Sequence, residues 1–314
     1  MSATPEETSP EGPHAAAVTT SKTIALLGAG VMGQAIGTRL LAAKHRVTVF
    51  DPNDDKVAAL VERGASAAPS PASAARSADF IIASLNSAKI VHEAVFGENG
   101  AAAGARRGTI VIDMSSIDPQ STRTFAAQAK AAGLAWVDSP LSGGASKALT
   151  GQLTLMAGGE TADVEKAFDV LAHLSANFTH MGPSGAGQTT KLINQVLCGL
   201  GFLAVAEATQ LAMDAGVDVA KIPQALRGGR ADSAILQEYM PRYAERDYRP
   251  TGRIDNMVKD LNGVQDLARL TNTAMPLTAA CAEVHRMMTA AGFGGADQAA
   301  LMEFFRGANK GGLP

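Results

Sequence analysis

Three polar residues near the start of a long apolar segment have the types and spacing of a proton-transfer site. Lys191, Asn194 and Gln195 stand at positions i, i+3 and i+4, so a helix would place them on one face. A lysine near a helix N-terminus is disfavoured by the helix dipole, and a buried polar face needs partners. Both costs are explained if the face lines a polar cleft; the alternative is a surface lysine beside a solvated amide pair.

A lysine in such a cleft suits hydride chemistry. When hydride reaches a carbonyl carbon, negative charge develops on the oxygen, and an ammonium group stabilises that charge and donates the proton. In the reverse direction the neutral amine accepts the proton. Partial burial and a cationic nicotinamide would lower the pKa of Lys191 towards the working pH.

A glycine-rich stretch near the N-terminus, GAGVMG, directly follows the apolar run TIALL. Gly28, Gly30 and Gly33 fit the pattern GxGxxG, and Val31 and Met32 lie between the last two glycines. The first glycine allows a tight turn, the second lets the backbone approach a pyrophosphate, and the third lets the helix pack close to the strand. A strand before the motif and a helix after it are the required context, so the stretch predicts dinucleotide binding rather than an ordinary glycine turn.

The expected ribose ligand is Asp51, which ends the second predicted strand 18 residues after Gly33. A carboxylate at this position accepts a hydrogen bond from the ribose 2′-hydroxyl and repels a 2′-phosphate. No arginine follows in the sequence DPNDD, although Lys56 stands nearby. We therefore predict NAD(H) rather than NADP(H) as the cofactor.

A second glycine-containing loop, DSPLSGG, follows a predicted strand at the carboxyl edge of the sheet, where open α/β sheets bind ligands. Ser142, Gly143 and Gly144 would expose backbone N–H groups and one hydroxyl, which together can hold a carboxylate. The alternative is an ordinary turn into the following strand.

The elements that position these residues alternate between β and α up to about residue 182, which predicts a doubly wound, Rossmann-type parallel sheet. After it, one long helix from Gly187 to Ala215, about 43 Å, would join the sheet to an all-α C-terminal domain, with Gly216 as the helix stop. Its most apolar stretch, Leu192 to Ala206, is too short for a membrane span and contains Asn194 and Gln195, so we expect a buried core helix there. The predicted domains are a disordered leader at 1–21, an NAD-binding domain at 22–183, an all-α domain at 184–306 and a frayed tail at 307–314. The predicted strands are Thr23–Leu27, Arg46–Phe50, Asp79–Ser84, Thr109–Asp113, Ala135–Asp138, Leu153–Ala157 and Phe178–Met181.

Composition excludes several classes of protein. The 314 residues carry a formal net charge of −3 without a basic block, which argues against nucleic-acid binding. Cys198 and Cys281 are far apart, so neither a cysteine-based zinc site nor a disulfide framework is expected. The histidines lack metal-ligand spacing, and hydride transfer with a lysine acid needs no metal. No signal-peptide pattern is present, so we expect a cytoplasmic protein with no membrane partner.

Five motifs in order resemble the β-hydroxyacid dehydrogenase family, whose members are similar to 3-hydroxyisobutyrate dehydrogenase. The motifs are GAGVMG, DMSSIDP, DSPLSGGASKALTGQLTLMAGG, GAGQTTKLINQ and NMVKDL. The resemblance covers about residues 22–305. It implies that Lys191 is the acid–base catalyst and that Ser142, Gly143 and Gly144 hold the substrate carboxylate. Asn194 and Gln195 would complete the polar shell around the substrate.

The resemblance also implies further cofactor and subunit contacts. Ser116 would approach the nicotinamide, and Lys259 would reach back from the helical domain to close over the cofactor. Leu85 and Asn86 stand where relatives usually have Leu-Pro in the cofactor pocket. A homodimer or homotetramer is implied, formed through the helical domains, with Ser233 near a neighbouring cleft.

The expected activity is interconversion of a short 3-hydroxy acid and its semialdehyde. Within the family the motifs KLINQ, RGGRADSAIL, RIDNMVKDL and MPLTAA are most similar to the branch that acts on tartronate semialdehyde and glycerate. Open alternatives are 3-hydroxyisobutyrate, threonate and sulfolactaldehyde, because such substrates differ only beyond the carboxylate. An imine reductase is a rival enzyme, and a non-catalytic dinucleotide-binding module is a rival of another class.

Overall fold

The computed structural model describes residues 20–306. Apart from Thr20 and Ser21, the predicted leader lies outside the described residues, and so does the predicted frayed tail at 307–314. Within the described range, nine strands form one sheet. They are β1 Thr23–Leu27, β2 Arg46–Phe50, β3 Ser66–Ala67, β4 Phe80–Ala83, β5 Ile110–Asp113, β6 Ala135–Asp138, β7 Leu141–Ser142, β8 Leu153–Gly158 and β9 Ser175–Gly182.

The first six strands lie in the order β3-β2-β1-β4-β5-β6 and all pair in parallel. This is the strand order of a doubly wound dinucleotide-binding sheet, so the predicted fold class is confirmed. The sheet then changes direction, because β8 runs antiparallel to both β6 and β7, while β9 pairs in parallel with β8. The carboxyl ends of β1, β2, β4, β5 and β6 therefore share one edge.

The central strands are buried on both faces, which explains their continuous apolar runs. Every residue of β4 and β5 is buried, including Asp113 at the end of β5. One apolar cluster packs on each side of the sheet, around Leu26 and Ile82 on one side and around Ile81 and Trp136 on the other. A parallel sheet covered by helices on both faces requires this pattern.

Helices fill the crossovers and form the whole C-terminal domain. Beside the α-helices there are two 3-10 helices, Val219–Lys221 and Gln298–Leu301, and a π-helical segment, Thr289–Phe293. The α-helices are α1 Val31–Ala42, α2 Asp54–Val61, α3 Pro71–Ala75, α4 Ala88–Phe96, α5 Ala101–Gly104, α6 Pro119–Ala131, α7 Gly144–Thr150, α8 Thr161–Leu171, α9 Ala186–Asp214, α10 Ile222–Leu226, α11 Ala234–Glu245, α12 Ile254–Thr271, α13 Pro276–Met288 and α14 Met302–Phe305.

The long helix α9 connects the sheet to the helical domain. Its first turns pack on β8 and β9, and its later turns pack against α11, α12 and α13. The helix ends at Asp214, and Gly216 follows with a positive φ of 71°, as the stop signal predicts.

The expectation of a buried core helix is wrong for one face of α9. Ile193, Leu197 and Leu211 are 56%, 68% and 70% exposed, because the other helices cover only the opposite side. By length and composition alone, α9 is the one helix within residues 20–306 that could cross a bilayer, and only 22% of its most apolar window is buried. Sequence periodicity did not reveal this, since α9 is apolar on nearly all sides.

Candidate active site

The glycine-rich loop lies at the carboxyl edge of the sheet, between β1 and α1. Gly28 has a φ of 97°, and a Cβ there would lie 2.5 Å from the Ser84 carbonyl oxygen. A Cβ on Gly33 would lie 2.0 Å from the carbonyl oxygen of Gly28, so this glycine is required for the close approach of the helix. A Cβ on Gly30 would meet nothing within 4 Å, which leaves open space before the N-terminus of α1. This open cradle fits a pyrophosphate.

Other residues of this loop hold its shape. Asp51 Oδ2 accepts a hydrogen bond of 2.8 Å from the Ala29 N–H, and its Oδ1 accepts one of 2.9 Å from the Asn53 N–H. Val31, the first residue of α1, is exposed, whereas Met32 packs against the apolar cluster on that side of the sheet. Asp51 therefore lies beside the cradle, as the motif predicts, and it also fixes the loop.

A cavity of about 550 Å³ adjoins Asp51 at the ends of β2 and β3. Its walls are mostly small and apolar, and it opens beside the cradle. Apart from Asp51, sequence reasoning did not identify the residues that line this cavity, because β3 is only two residues long. The lining residues are Phe50, Asp51, Pro52, Asp54, Val57, Ala67, Ala68 and Pro69.

Two loops on the other side of the cradle are joined to each other. The Leu85 N–H donates to Ser115 Oγ at 3.0 Å, and the Ser115 N–H donates to Asp113 Oδ1 at 3.0 Å. Asn86 follows and is exposed, and Ser116 is partly buried. The structure thus places Leu85 and Ser116 on neighbouring loops after β4 and β5.

Lys191, Asn194 and Gln195 form one hydrogen-bonded cluster on the face of α9, as their spacing predicts. The Lys191 Nζ donates to Gln195 Oε1 at 2.9 Å. Asn194 Nδ2 donates to the same oxygen at 2.9 Å and to Cys198 Sγ at 3.4 Å. The Asn194 side chain therefore uses its amide group to hold the cluster.

Burial lowers the pKa of Lys191, because the charged ammonium loses hydration there. The Asp260 carboxylate and Cys198 act in the opposite direction, and the neighbouring Lys259 ammonium lowers the pKa further. A lysine with a depressed pKa can exchange a proton near neutral pH more readily than an exposed one.

Two residues of α12 complete the cluster. Gln195 Nε2 donates to Asp260 Oδ2 at 2.5 Å, and Lys259 Nζ lies 3.3 Å from Asp260 Oδ1. Lys259 Nζ also donates to the Ser116 carbonyl at 3.1 Å. The helical domain thereby reaches the loop after β5, as the resemblance implied for Lys259, whereas sequence reasoning gave Asp260 no role.

The loop of Ser142, Gly143 and Gly144 lies at the start of α7, which packs against α1, the helix that follows the glycine-rich loop. Gly143 and Gly144 are exposed and have φ values of 122° and 69°, so the turn needs glycine. None of the hydrogen bonds described within residues 20–306 joins this loop to Lys191.

Ser233 has a different setting from the other predicted residues. It is exposed, and its hydroxyl caps α11 by accepting from the Leu236 N–H at 3.0 Å. Its predicted place near a neighbouring cleft stays a prediction.

Buried polar groups behind Lys191 were not identified from the sequence. The Asp138 carboxylate accepts N–H groups from the first turn of α9, and the side chain of Gln188 bonds the loop after β5. Burial also raises the pKa of Asp113, on the neighbouring strand, to about 7, and the negative charge of Asp138 adds to this effect. In hindsight, an aspartate at the end of an apolar strand was the available signal.

Together these features define a class: a two-domain oxidoreductase with an NAD(P)-binding sheet domain and a polar, lysine-containing cluster where the helical domain meets the loop after β5. A family model described as the NAD-binding domain of 6-phosphogluconate dehydrogenase matches residues 23–182. A second, described as the NAD-binding domain of NADP-dependent 3-hydroxyisobutyrate dehydrogenase, matches residues 185–305.

Relatives with known names match along almost their whole length. The chain is 34% identical to 2-hydroxy-3-oxopropionate reductase of Escherichia coli, over 89% of this chain and 96% of the relative. It is 35% identical to 3-sulfolactaldehyde reductase of the same organism, over 90% and 95%. The structure of Mycobacterium tuberculosis 3-hydroxyisobutyrate dehydrogenase with L-serine superposes with a TM-score of 0.84 at 28% identity, covering 92% of this chain and all of that one.

The chain belongs to the β-hydroxyacid dehydrogenase family. It is therefore an NAD(P)-binding oxidoreductase, a hydroxyacid dehydrogenase. The predicted family and enzyme class are confirmed. The relatives' names differ at nearly equal identity, so similarity alone does not choose the substrate.

Proposed function

We propose that this protein is an NAD-dependent reductase that interconverts a short 3-hydroxy acid and its semialdehyde, with tartronate semialdehyde and glycerate as the preferred pair. The observation that carries the proposal is the partly buried Lys191, whose pKa is lowered by desolvation and whose Nζ donates a hydrogen bond to Gln195. Lys191 lies in the same cluster as Lys259, whose Nζ donates a hydrogen bond to the Ser116 carbonyl in the loop after β5.

The cradle at Gly28–Gly33 and the cavity beside Asp51 fit a dinucleotide, which supplies or accepts the hydride when bound. Gly28, Gly30, Val31, Met32 and Gly33 would hold the pyrophosphate at the N-terminus of α1. Asp51 would bind the adenosine ribose, and its charge favours NAD(H) over NADP(H). Leu85, Asn86, Ser116 and Lys259 would contact the remaining part.

The chain's own residues would then handle the proton and the carboxylate. In reduction, Lys191 as the ammonium donates a proton to the developing alkoxide; in oxidation, the neutral amine accepts the hydroxyl proton. Ser142, with the N–H groups of Gly143 and Gly144, holds the carboxylate. Asn194 and Gln195 orient the reacting carbon against the amine.

The preference for tartronate semialdehyde rests on the motifs KLINQ and RGGRADSAIL and on the similarity to the Escherichia coli reductase. We place the enzyme in the cytoplasm, without a nucleic-acid or membrane partner. We also propose a homodimer or homotetramer that covers the exposed apolar face of α9, with Ser233 close to a neighbouring cleft.

A spectrophotometric substrate panel tests the proposal. Tartronate semialdehyde, methylmalonate semialdehyde, sulfolactaldehyde and a cyclic imine are each supplied with NADH and, separately, with NADPH. We expect the highest kcat/KM for tartronate semialdehyde with NADH. A higher value for another acid corrects the substrate, turnover of only the imine contradicts the reaction class, and tight NADH binding without any turnover supports a non-catalytic module.

A further inference from the structure

A buried carboxylate holds the first turn of the helix that carries Lys191. Asp138, at the end of β6, is fully buried, and its Oδ1 accepts the Gly185 N–H at 2.8 Å. Its Oδ2 accepts the Gln188 N–H at 3.0 Å. Both N–H groups belong to the unpaired set at a helix N-terminus. Burial raises the pKa of the Asp138 carboxyl, and these two hydrogen bonds act against that effect.

The chain around this carboxylate is shaped for close approach. A Cβ on Gly158 would lie 2.7 Å from Asp138 Oδ1, and a Cβ on Gly187 would lie 2.8 Å from Asp138 Oδ2. The same Cβ on Gly187 would lie 2.4 Å from the Met156 carbonyl oxygen. Two glycines therefore let α9 rest directly on the ends of β6 and β8, with the carboxylate between them.

Gln188 extends this attachment to the neighbouring loop. It is almost completely buried; its Nε2 donates to the Ser115 carbonyl at 2.7 Å, and its Oε1 accepts the Ile117 N–H at 3.3 Å. These two residues flank Ser116. The loop that receives Lys259 is thus bonded at both ends to the helix that carries Lys191.

The geometry of α9 links the position of Gln188 to that of Lys191. Gln188, Lys191 and Gln195 stand at i, i+3 and i+7, so they follow one face of α9. When Gln188 is fixed at one end of this face and Gln195 is bonded to Asp260 at the other, the rotation of α9 about its axis is fixed as well. Because a displacement of about 1 Å costs roughly 100-fold in rate, this restraint matters for catalysis.

We propose that Asp138 and Gln188 are positioning residues, which set Lys191 against the loop around Ser116 and keep its amine in its partly buried, hydrogen-bonded position. The inference rests on the proposed role of Lys191 as the acid–base group. Asp138 and Gln188 themselves touch neither substrate nor cofactor in this account.

The test uses Asp138→Asn and the near-isosteric Gln188→Met, which removes both side-chain hydrogen bonds without changing volume much. Competitive acylation of the full-length protein across pH, read by mass spectrometry, reports the protonation of the Lys191 amine without requiring turnover. The exposed Lys166 is the internal reference in the same samples. Asp218→Asn is the matched control, because Asp218 also accepts a helix-terminal N–H, from Ala220, but is exposed.

In the wild type we expect the labelling midpoint of Lys191 to lie below the ordinary range of an exposed lysine. In both test variants it should move to higher pH, as the amine becomes more exposed to water, while kcat falls about 10- to 100-fold and the NADH Kd stays within about threefold. If Asp138→Asn does not fold, Gln188→Met still gives the answer.

An unchanged labelling midpoint in the folded variants overturns the inference, as does a loss of activity that merely follows the loss of folded protein.

Lys191→Ala, assayed in parallel, separates the two proposals. If the wild type turns over and Lys191→Ala does not, the proposed function stands whatever the labelling shows. If Lys191→Ala keeps full turnover, the proposed function fails, and the labelling result still reports whether Asp138 and Gln188 position the amine.

Discussion

Lys191 and Gln195 are joined by a hydrogen bond of 2.9 Å from Nζ to Oε1, one turn apart on α9. The amide nitrogen of the same side chain, Gln195 Nε2, donates to the Asp260 carboxylate on α12. Gln195 therefore connects Lys191 to the Asp260 carboxylate on α12 through two consecutive hydrogen bonds.

Turnover should depend on pH in opposite ways for oxidation and for reduction. Oxidation of the hydroxy acid needs the neutral amine of Lys191, so its kcat should rise with pH and level off above the pKa. Reduction needs the ammonium and should fall over the same range. Because burial lowers this pKa, both transitions should lie below the pH at which an exposed lysine titrates. Matching pH profiles that rise in both directions would contradict the assignment.

Two charge-removing variants should move these transitions in opposite directions. The Asp260 charge raises the pKa of Lys191 and the Lys259 charge lowers it. Asp260→Asn should therefore shift the oxidation profile to lower pH, and Lys259→Met should shift it to higher pH. Initial rates across pH at saturating substrate measure both. Shifts of the same sign in the two variants would show that Lys191 is not the titrating group.

The carboxylate of Asp51 predicts that the enzyme prefers NADH to NADPH. Asp51→Ala removes both the proposed ribose acceptor and the bond to the Ala29 N–H. We expect KM for NADH to rise about 10-fold or more, because a charge-assisted hydrogen bond is lost, and the discrimination against NADPH to shrink. The kcat at saturating NADH should change little, since Lys191 is untouched. A wild type that prefers NADPH refutes this role.

The raised pKa of Asp113 predicts that the folded protein loses stability as the pH rises. Its pKa in the folded protein is about 7, above the ordinary value of 3.8, so the folded state binds this proton more tightly than the unfolded state. The stability contribution is fully present below about pH 4 and is lost as pH rises to 7. Asp113→Asn should therefore gain stability over the wild type at pH 8, by at most about 4 kcal/mol, and by clearly less at pH 5.

Urea unfolding at the two pH values measures this difference. Asp55→Asn, at an exposed position in α2, is the control and should show no comparable gain. An Asp113→Asn variant that loses stability equally at both pH values would show that Asp113 is ionised in the folded protein.

The exposed apolar face of α9 predicts self-association. Leu211 is 70% exposed although it is apolar, so a partner copy would bury it. Leu211→Glu should shift the sedimentation coefficient to that of a smaller species, whereas Val61→Glu, at a position 41% exposed on the sheet domain, should not. A wild type that sediments as a monomer removes the proposal of a homo-oligomer.

The fold was largely predictable because its central strands carry their signal locally. Buried runs such as FIIA and IVID are apolar on both faces, and GAGVMG marks the first crossover. The two-residue strands β3 and β7 were missed, since they are too short for any periodicity. The reversal of β8 was also unpredicted, because strand direction depends on pairing and not on composition.

The site was predictable where its residues share one element. Lys191, Asn194 and Gln195 lie together because a helix enforces that spacing. Asp260 and Asp138 were missed, because their partners lie 65 and 47 residues away in the chain, and no local pattern encodes such a pairing. The role of each residue in catalysis stays a prediction until it is measured.

The most direct measurement compares Lys191→Ala with the wild type under saturating NADH and tartronate semialdehyde, with the NADH Kd determined on the same samples by fluorescence titration. Lys166→Ala, at an exposed position in α8, is the matched control. We expect kcat to fall about 100- to 10,000-fold in Lys191→Ala alone, with the NADH Kd nearly unchanged. Undiminished turnover in Lys191→Ala, with the substrate still bound, would show that this lysine is not the acid–base catalyst.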